Sequence, residues 1–153
     1  MMKLFQRKHQ IKLVAPVNGM YVDLRQAGET KVQSGFAIEP MEGEIHAPLA
    51  GTVTQLTKQS VTLEADFGCE YVVQLGQPVA DLDDQLFDWH VAVGDQLSVN
   101  DALAMLDVNA IHAADASAIV SCGLSNQAAA DVEVEKTGLV SQGDQLATLK
   151  VRS

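Results

Sequence analysis

Apolar and polar residues alternate in short runs along most of this chain, and Gly, Pro, Asn or Asp separates the runs. Ile11–Val14, Tyr21–Leu24, Gly35–Glu39, Thr52–Leu56, Val61–Ala65 and Tyr71–Leu75 are rich in β-branched side chains, as half-buried strands require. Leu103–Leu106, Ile119–Cys122, Val132–Val134 and Leu146–Val151 continue the pattern. Only Val108–Ala116, with alanine at most positions, predicts a helix. Many short strands at close intervals, punctuated by turn residues, predict an all-β sandwich or barrel.

Two internal echoes sharpen that expectation. Ala15-Pro16-Val17-Asn18-Gly19 is matched by Ala47-Pro48-Leu49-Ala50-Gly51, and Gly94-Asp95-Gln96-Leu97 by Gly143-Asp144-Gln145-Leu146. In each Ala-Pro-x-x-Gly the proline fixes the entry and the glycine can adopt positive φ, which is turn chemistry between strands. A β unit used twice, the layout of a barrel-sandwich hybrid, accounts for both echoes.

With 153 residues, 47% of them hydrophobic, the chain can form one domain that buries roughly 70% of its unfolded surface. A net charge of −10 argues against a nucleic-acid surface, which needs clustered cations to displace counterions. Cys69 and Cys122 are far apart in sequence and form no CxxC, so they read as buried free thiols of a reducing compartment. No apolar run is long enough to span a membrane. The basic segment 1–10 has no apolar core of the kind a secretory signal carries. It reads as a disordered arm with at most peripheral membrane contact, on a soluble cytoplasmic protein.

The four histidines, His9, His46, His90 and His112, form no metal-binding spacing, and no nucleophile elbow, P-loop or dinucleotide fingerprint is present. The acidic run Asp81, Asp83, Asp84 and Asp88 reads as a solvated loop. Lys12, Lys31, Lys58, Lys136 and Lys150 lack the setting of a lipoyl or biotinyl attachment lysine. No cofactor is expected, and the residues offer no self-evident active site.

From Ile11-Lys12-Leu13-Val14-Ala15-Pro16-Val17-Asn18-Gly19 onward the chain resembles the glucose-type IIA domains of the bacterial sugar phosphotransferase system. The resemblance runs through Gly35-Phe36-Ala37-Ile38-Glu39-Pro40, Ala47-Pro48-Leu49-Ala50-Gly51-Thr52-Val53 and Leu63 to Gly76. It continues at Phe87, Gly94, Asp101, Asp107 and Ser125-Asn126 and closes with Gly138 to Val151, so it covers residues 11–152. It implies the barrel-sandwich fold of that family and partners such as the histidine-containing carrier protein and a sugar permease.

The resemblance also implies where the chemistry of such a domain would sit. Two histidines face each other in the family, and the one in a V-H-F-G motif accepts the phosphoryl group. This chain has Val73-Gln74-Leu75-Gly76 there, so Gln74 stands at the acceptor's position. Gln59, in Thr57-Lys58-Gln59-Ser60-Val61, stands at the partner's, and Thr57 matches a threonine that bonds the acceptor. Pro78 replaces the family's following aspartate.

An amide cannot replace imidazole as a nucleophile. Its nitrogen lone pair is delocalised into the carbonyl and does not titrate near neutrality. Strand parity places Tyr71, Val73 and Leu75 in the core and Val72 with Gln74 on the other face. Val61, Val72, Gln74 and Pro78 are thus expected to form a preserved docking face. The expectation is a catalytically silent IIA-like protein that works by binding partners in sugar-uptake regulation. Two alternatives are a phosphocarrier using another histidine, for which His46 is the candidate, and an interaction domain outside the phosphotransferase system.

Overall fold

The computed structural model describes residues 9–28, 30–77, 83–125 and 130–151; the side chains of His9 and Asp84 are outside that description, as are residues 1–8 of the expected arm and Pro78. The strands in chain order are β1 (His9–Val14), β2 (Gly19–Val22), β3 (Ser34–Pro40), β4 (Glu44–His46), β5 (Gly51–Leu56), β6 (Ser60–Glu64) and β7 (Glu70–Leu75). They continue with β8 (Phe87–Trp89), β9 (Gln96–Leu97), β10 (Ala102–Leu106), β11 (Val120–Leu124), β12 (Ala130–Val134), β13 (Leu139–Val140) and β14 (Gln145–Val151). One sheet has the order β13-β2-β3-β11-β7-β6-β5-β9, and two three-stranded sheets have the orders β1-β14-β12 and β4-β10-β8. Every pairing is antiparallel.

This is an all-β sandwich. Its single α-helix among the described residues, α1, spans Val108–Ala113 and is shorter than the sequence predicts. Asp107 caps it through Ala110 N–H at 3.0 Å, and only Ile111 is buried. With one anchoring side chain, the helix stops ahead of Asp115, whose φ of 58° is left-handed. β1 begins at His9, inside the segment expected to be a free arm, because His9 and Gln10 pair with Val151 and Lys150.

The duplication is visible in the hydrogen bonds. Val14 N–H donates to Pro48 O at 3.0 Å, and His46 N–H donates to Pro16 O at 2.8 Å. Ala15 N–H meets Asp144 O and Ala47 N–H meets Asp101 O, both at 2.8 Å. Each Ala-Pro-x-x-Gly therefore crosses the other at the centre of the molecule, and β2–β13 is repeated as β5–β9.

These bonds make Asp144 the counterpart of Asp101, so the Gly-Asp-Gln-Leu echo marks a repeated turn rather than one site in both halves. The turn occurs at Ala92–Asp95, Ser98–Asp101 and Ser141–Asp144. In each, the aspartate N–H closes onto the first carbonyl, and its carboxylate accepts the first N–H at 2.7–2.9 Å. The third residue has positive φ: Gly94 at 100°, Asn100 at 73° and Gly143 at 92°.

Register fixes which face of the large sheet is core. Phe36, Cys122, Val73 and Val61 lie side by side across β3, β11, β7 and β6, and all are fully buried. The next row, Ala37, Ser121, Gln74 and Ser60, points the other way. Apart from Ala37 that second row is polar, and all of it is buried, since Thr30 to Gln33 are bonded across it.

Cys69 and Cys122 are free and buried. Burial pushes both thiols above the ordinary thiol range, and the Glu70 charge adds to the shift at Cys69. Both thiols are expected to resist Ellman's reagent in the native protein, reacting on the order of 100-fold more slowly than in denaturant. Rapid labelling of either cysteine under native conditions would contradict this packing.

Candidate functional site

The β6–β7 hairpin brings the two singled-out glutamines together. Thr57 N–H donates to Ser60 O at 2.8 Å, which closes the turn before β6. Trp89 Nε1 holds that turn from outside by donating to Lys58 O at 2.9 Å. Ser60 then pairs directly with Gln74 across the hairpin. The result is a pocket of about 190 Å³ lined by Lys31, Thr57, Lys58, Gln59, Ser60 and Gln74.

Both amides are tied to the main chain. Gln59 Nε2 uses its two protons on two carbonyls, Leu75 O at 2.9 Å and Gln77 O at 2.8 Å. Gln74 accepts from Lys31 N–H at 2.9 Å and donates to Gly76 O at 3.1 Å. Gln74 is 1% exposed, so it does not lie on an open docking face. The segment at Lys31 closes over it. Thr57 Oγ1 lies 2.7 Å from Ser60 Oγ and accepts from Ser60 N–H at 3.1 Å.

The expected docking face needs correction at two positions. Val61 is directly opposite Val73, so its side chain enters the core, where it is fully buried. Val72 is on the Gln74 side by parity but is only 2% exposed, because that side is not an open surface. Pro78 lies outside the described residues. What the sequence reading missed is Lys31, whose ammonium donates to Ser60 Oγ at 3.3 Å across the pocket. Ser60 was legible as the cross-strand neighbour of Gln74, whereas Lys31 sits in a segment without periodicity.

The other candidates are elsewhere. His46 is half-buried, with Nδ1 3.0 Å from Asn100 O, and does not line the pocket. His90 faces Asp88 at 3.4 Å, and His112 is 4.0 Å from Glu39. A larger cleft of about 470 Å³ is lined by Met41, Glu42, Asp88, Met105 and Asp107 among others, and its described lining includes no cation. Its size is a poor guide to chemistry, because its carboxylates would repel a phosphoryl group. Among the described residues no group of three or more His, Cys, Asp or Glu could hold a metal ion, and no helix is long and apolar enough to cross a membrane.

A duplicated all-β sandwich with a small polar pocket at one hairpin is thus the class of protein that the fold and site define. Residues 11–130 match the family model of the phosphoenolpyruvate-dependent sugar phosphotransferase system, EIIA 1, and the chain belongs to that family. The glucose-specific EIIA component of Halalkalibacterium halodurans is 28% identical over 145 residues, covering 84% of each chain. That of Staphylococcus aureus is 29% identical over 154 residues, covering 93% of each. The solved glucose permease IIA from Mycoplasma capricolum superimposes with a TM-score of 0.82 at 25% identity, covering 93% of this chain and 97% of that one.

Proposed function

We propose that this chain is a phosphotransferase-system IIA protein that does not carry phosphate and acts by binding partner proteins in sugar-uptake regulation. The observation that carries this reading is the pairing of Gln59 with Gln74 at one pocket, each amide committed to main-chain hydrogen bonds. Phosphoryl transfer needs a nucleophile with an available lone pair near neutral pH, and an amide nitrogen has none. The partners of this reading are the histidine-containing carrier protein and a sugar permease, met in the cytoplasm. With Val61 and Val72 buried, docking falls to the pocket rim at Lys31 and the 57–60 turn.

The wild-type protein is expected to gain no phosphate when incubated with phosphoenolpyruvate, enzyme I and the histidine carrier protein, as read by intact mass. Phosphate on His46 or any other residue would end the silent reading. Retention of the carrier protein by immobilised wild-type chain, lost on changing Lys31, would support the partner-binding half of it.

A further inference from the structure

We propose that Asn18 is a latent deamidation site, protected by its native hydrogen bonds and converted to aspartate or isoaspartate when they open. The inference goes beyond the functional reading above and holds whether or not the chain carries phosphate.

The sequence carries the first argument. The chain has four asparagines, Asn18, Asn100, Asn109 and Asn126, and only Asn18 precedes a glycine. Glycine has no Cβ to shield its main-chain nitrogen, so the Gly19 nitrogen can attack Asn18 Cγ. A ring C–N bond forms, the Cγ–Nδ2 bond breaks, and ammonia leaves with the Gly19 amide proton. Water then opens the cyclic imide at either carbonyl, giving Asp or isoaspartate at position 18. The turn itself does not require asparagine, because the matching position of the second Ala-Pro-x-x-Gly is Ala50.

The structure supplies the protection. Asn18 is half-buried and ties its own turn to two others. Its Nδ2 donates to Glu42 Oε1 at 2.9 Å, and its Oδ1 accepts from Gln142 N–H at 2.6 Å. Its carbonyl accepts from Met41 N–H at 2.9 Å. Gly19, which must supply the attacking nitrogen, pairs with Val140 on one side and Pro40 on the other. Attack requires the side chain to leave both partners and Gly19 to leave the ladder. The rate therefore follows the fraction of molecules open at this point. Such opening is local, since β13 is an edge strand of two residues, Leu139–Val140.

The product cannot restore what opened. Aspartate sets a carboxylate against Glu42 where an amide donor stood, and like charges at hydrogen-bond distance oppose each other. Isoaspartate also adds a main-chain carbon ahead of Gly19. β2 has no room to shift, because even a methyl group on Gly19 would lie 2.2 Å from Glu39 O. A transient opening thus becomes permanent.

The full chain should be aged in mildly alkaline buffer, once native and once in guanidinium chloride. Peptide mass mapping locates the converted residue, and enzymatic methyl transfer from S-adenosylmethionine detects isoaspartate. Asn18 is expected to convert before any other asparagine in denaturant, and at least about tenfold more slowly in the native protein. Equal rates in the two conditions, or earlier conversion of Asn100, Asn109 or Asn126 in denaturant, would overturn the proposal. The consequence has its own test. Asn18→Asp should lower the urea midpoint, and adding Glu42→Gln should recover most of the loss, because the new amide can donate to the carboxylate. A midpoint unchanged by Asn18→Asp, or no recovery in the double variant, would overturn the assigned clash with Glu42.

Discussion

Gly123→Ala is expected to destabilise the protein by more than about 4 kcal/mol, enough to leave much of it unfolded. Gly123 in β11 stands opposite Gly35 in β3, at the middle of the eight-stranded sheet. A methyl group on Gly123 would lie 2.1 Å from Ser34 O and 2.7 Å from Gly35 Cα, and one on Gly35 would lie 1.9 Å from Cys122 O. These are main-chain atoms of the paired strand, so no side-chain rotation relieves the clash. The strands must separate, breaking ladder hydrogen bonds and opening the row that holds Phe36 and Cys122. Gly68→Ala is the control. Its φ of 70° also disfavours a side chain, but nothing lies within 4 Å of the added methyl, so about 1 kcal/mol is expected. Urea unfolding of the two variants decides the matter: similar midpoints would show that the close approach of β3 and β11 is not what these glycines serve.

That contact could not have been read from the sequence, although the strands that make it could. Ten strands were legible, nine of them as runs of four or more residues such as Tyr71–Leu75, and Val132–Val134 as part of the five-residue strand Ala130–Val134. β4, β8, β9 and β13 were not, since two or three residues are too few to alternate and only their partners make them strands. β9, for example, is Gln96–Leu97 held against Gly51 and Thr52. The site divided in the same way. Gln74 and Gln59 came from a local motif and from resemblance to a family, and hairpin geometry brought them to one pocket. Lys31 reaches Ser60 from an irregular segment far away in sequence, a contact that no periodicity encodes. The error at Val61 had a different origin. In an antiparallel hairpin, residues in direct register share a face, so Val61 opposite Val73 had to enter the core. Val72 had the right parity, but the closure of segment 30–33 over that face was invisible.

Introducing histidine should affect the two glutamine positions unequally. Gln74→His is expected to keep its bonds to Lys31 and Gly76, because a neutral imidazole has one accepting and one donating nitrogen. These can replace the acceptance from Lys31 N–H and the donation to Gly76 O. Gln59→His is expected to cost about 1–3 kcal/mol. Its amide nitrogen serves Leu75 O and Gln77 O with two protons, whereas each imidazole nitrogen carries at most one, so a carbonyl loses its donor. The chemical outcome should run the other way from the structural cost. In the relay with phosphoenolpyruvate, enzyme I and the histidine carrier protein, Gln74→His alone should gain phosphate, since the resemblance puts the acceptor there. Gln59→His alone should gain none. The double variant should accept faster than Gln74→His, because a second imidazole stabilises the charge of the incoming phosphoryl group, even though it melts earlier. Intact mass and urea midpoints on the same three proteins test both halves. If all three fold and none takes phosphate, position 74 is not the acceptor site. If Gln59→His is as stable as the wild type, its amide is not the clamp between the 57–60 turn and the end of β7.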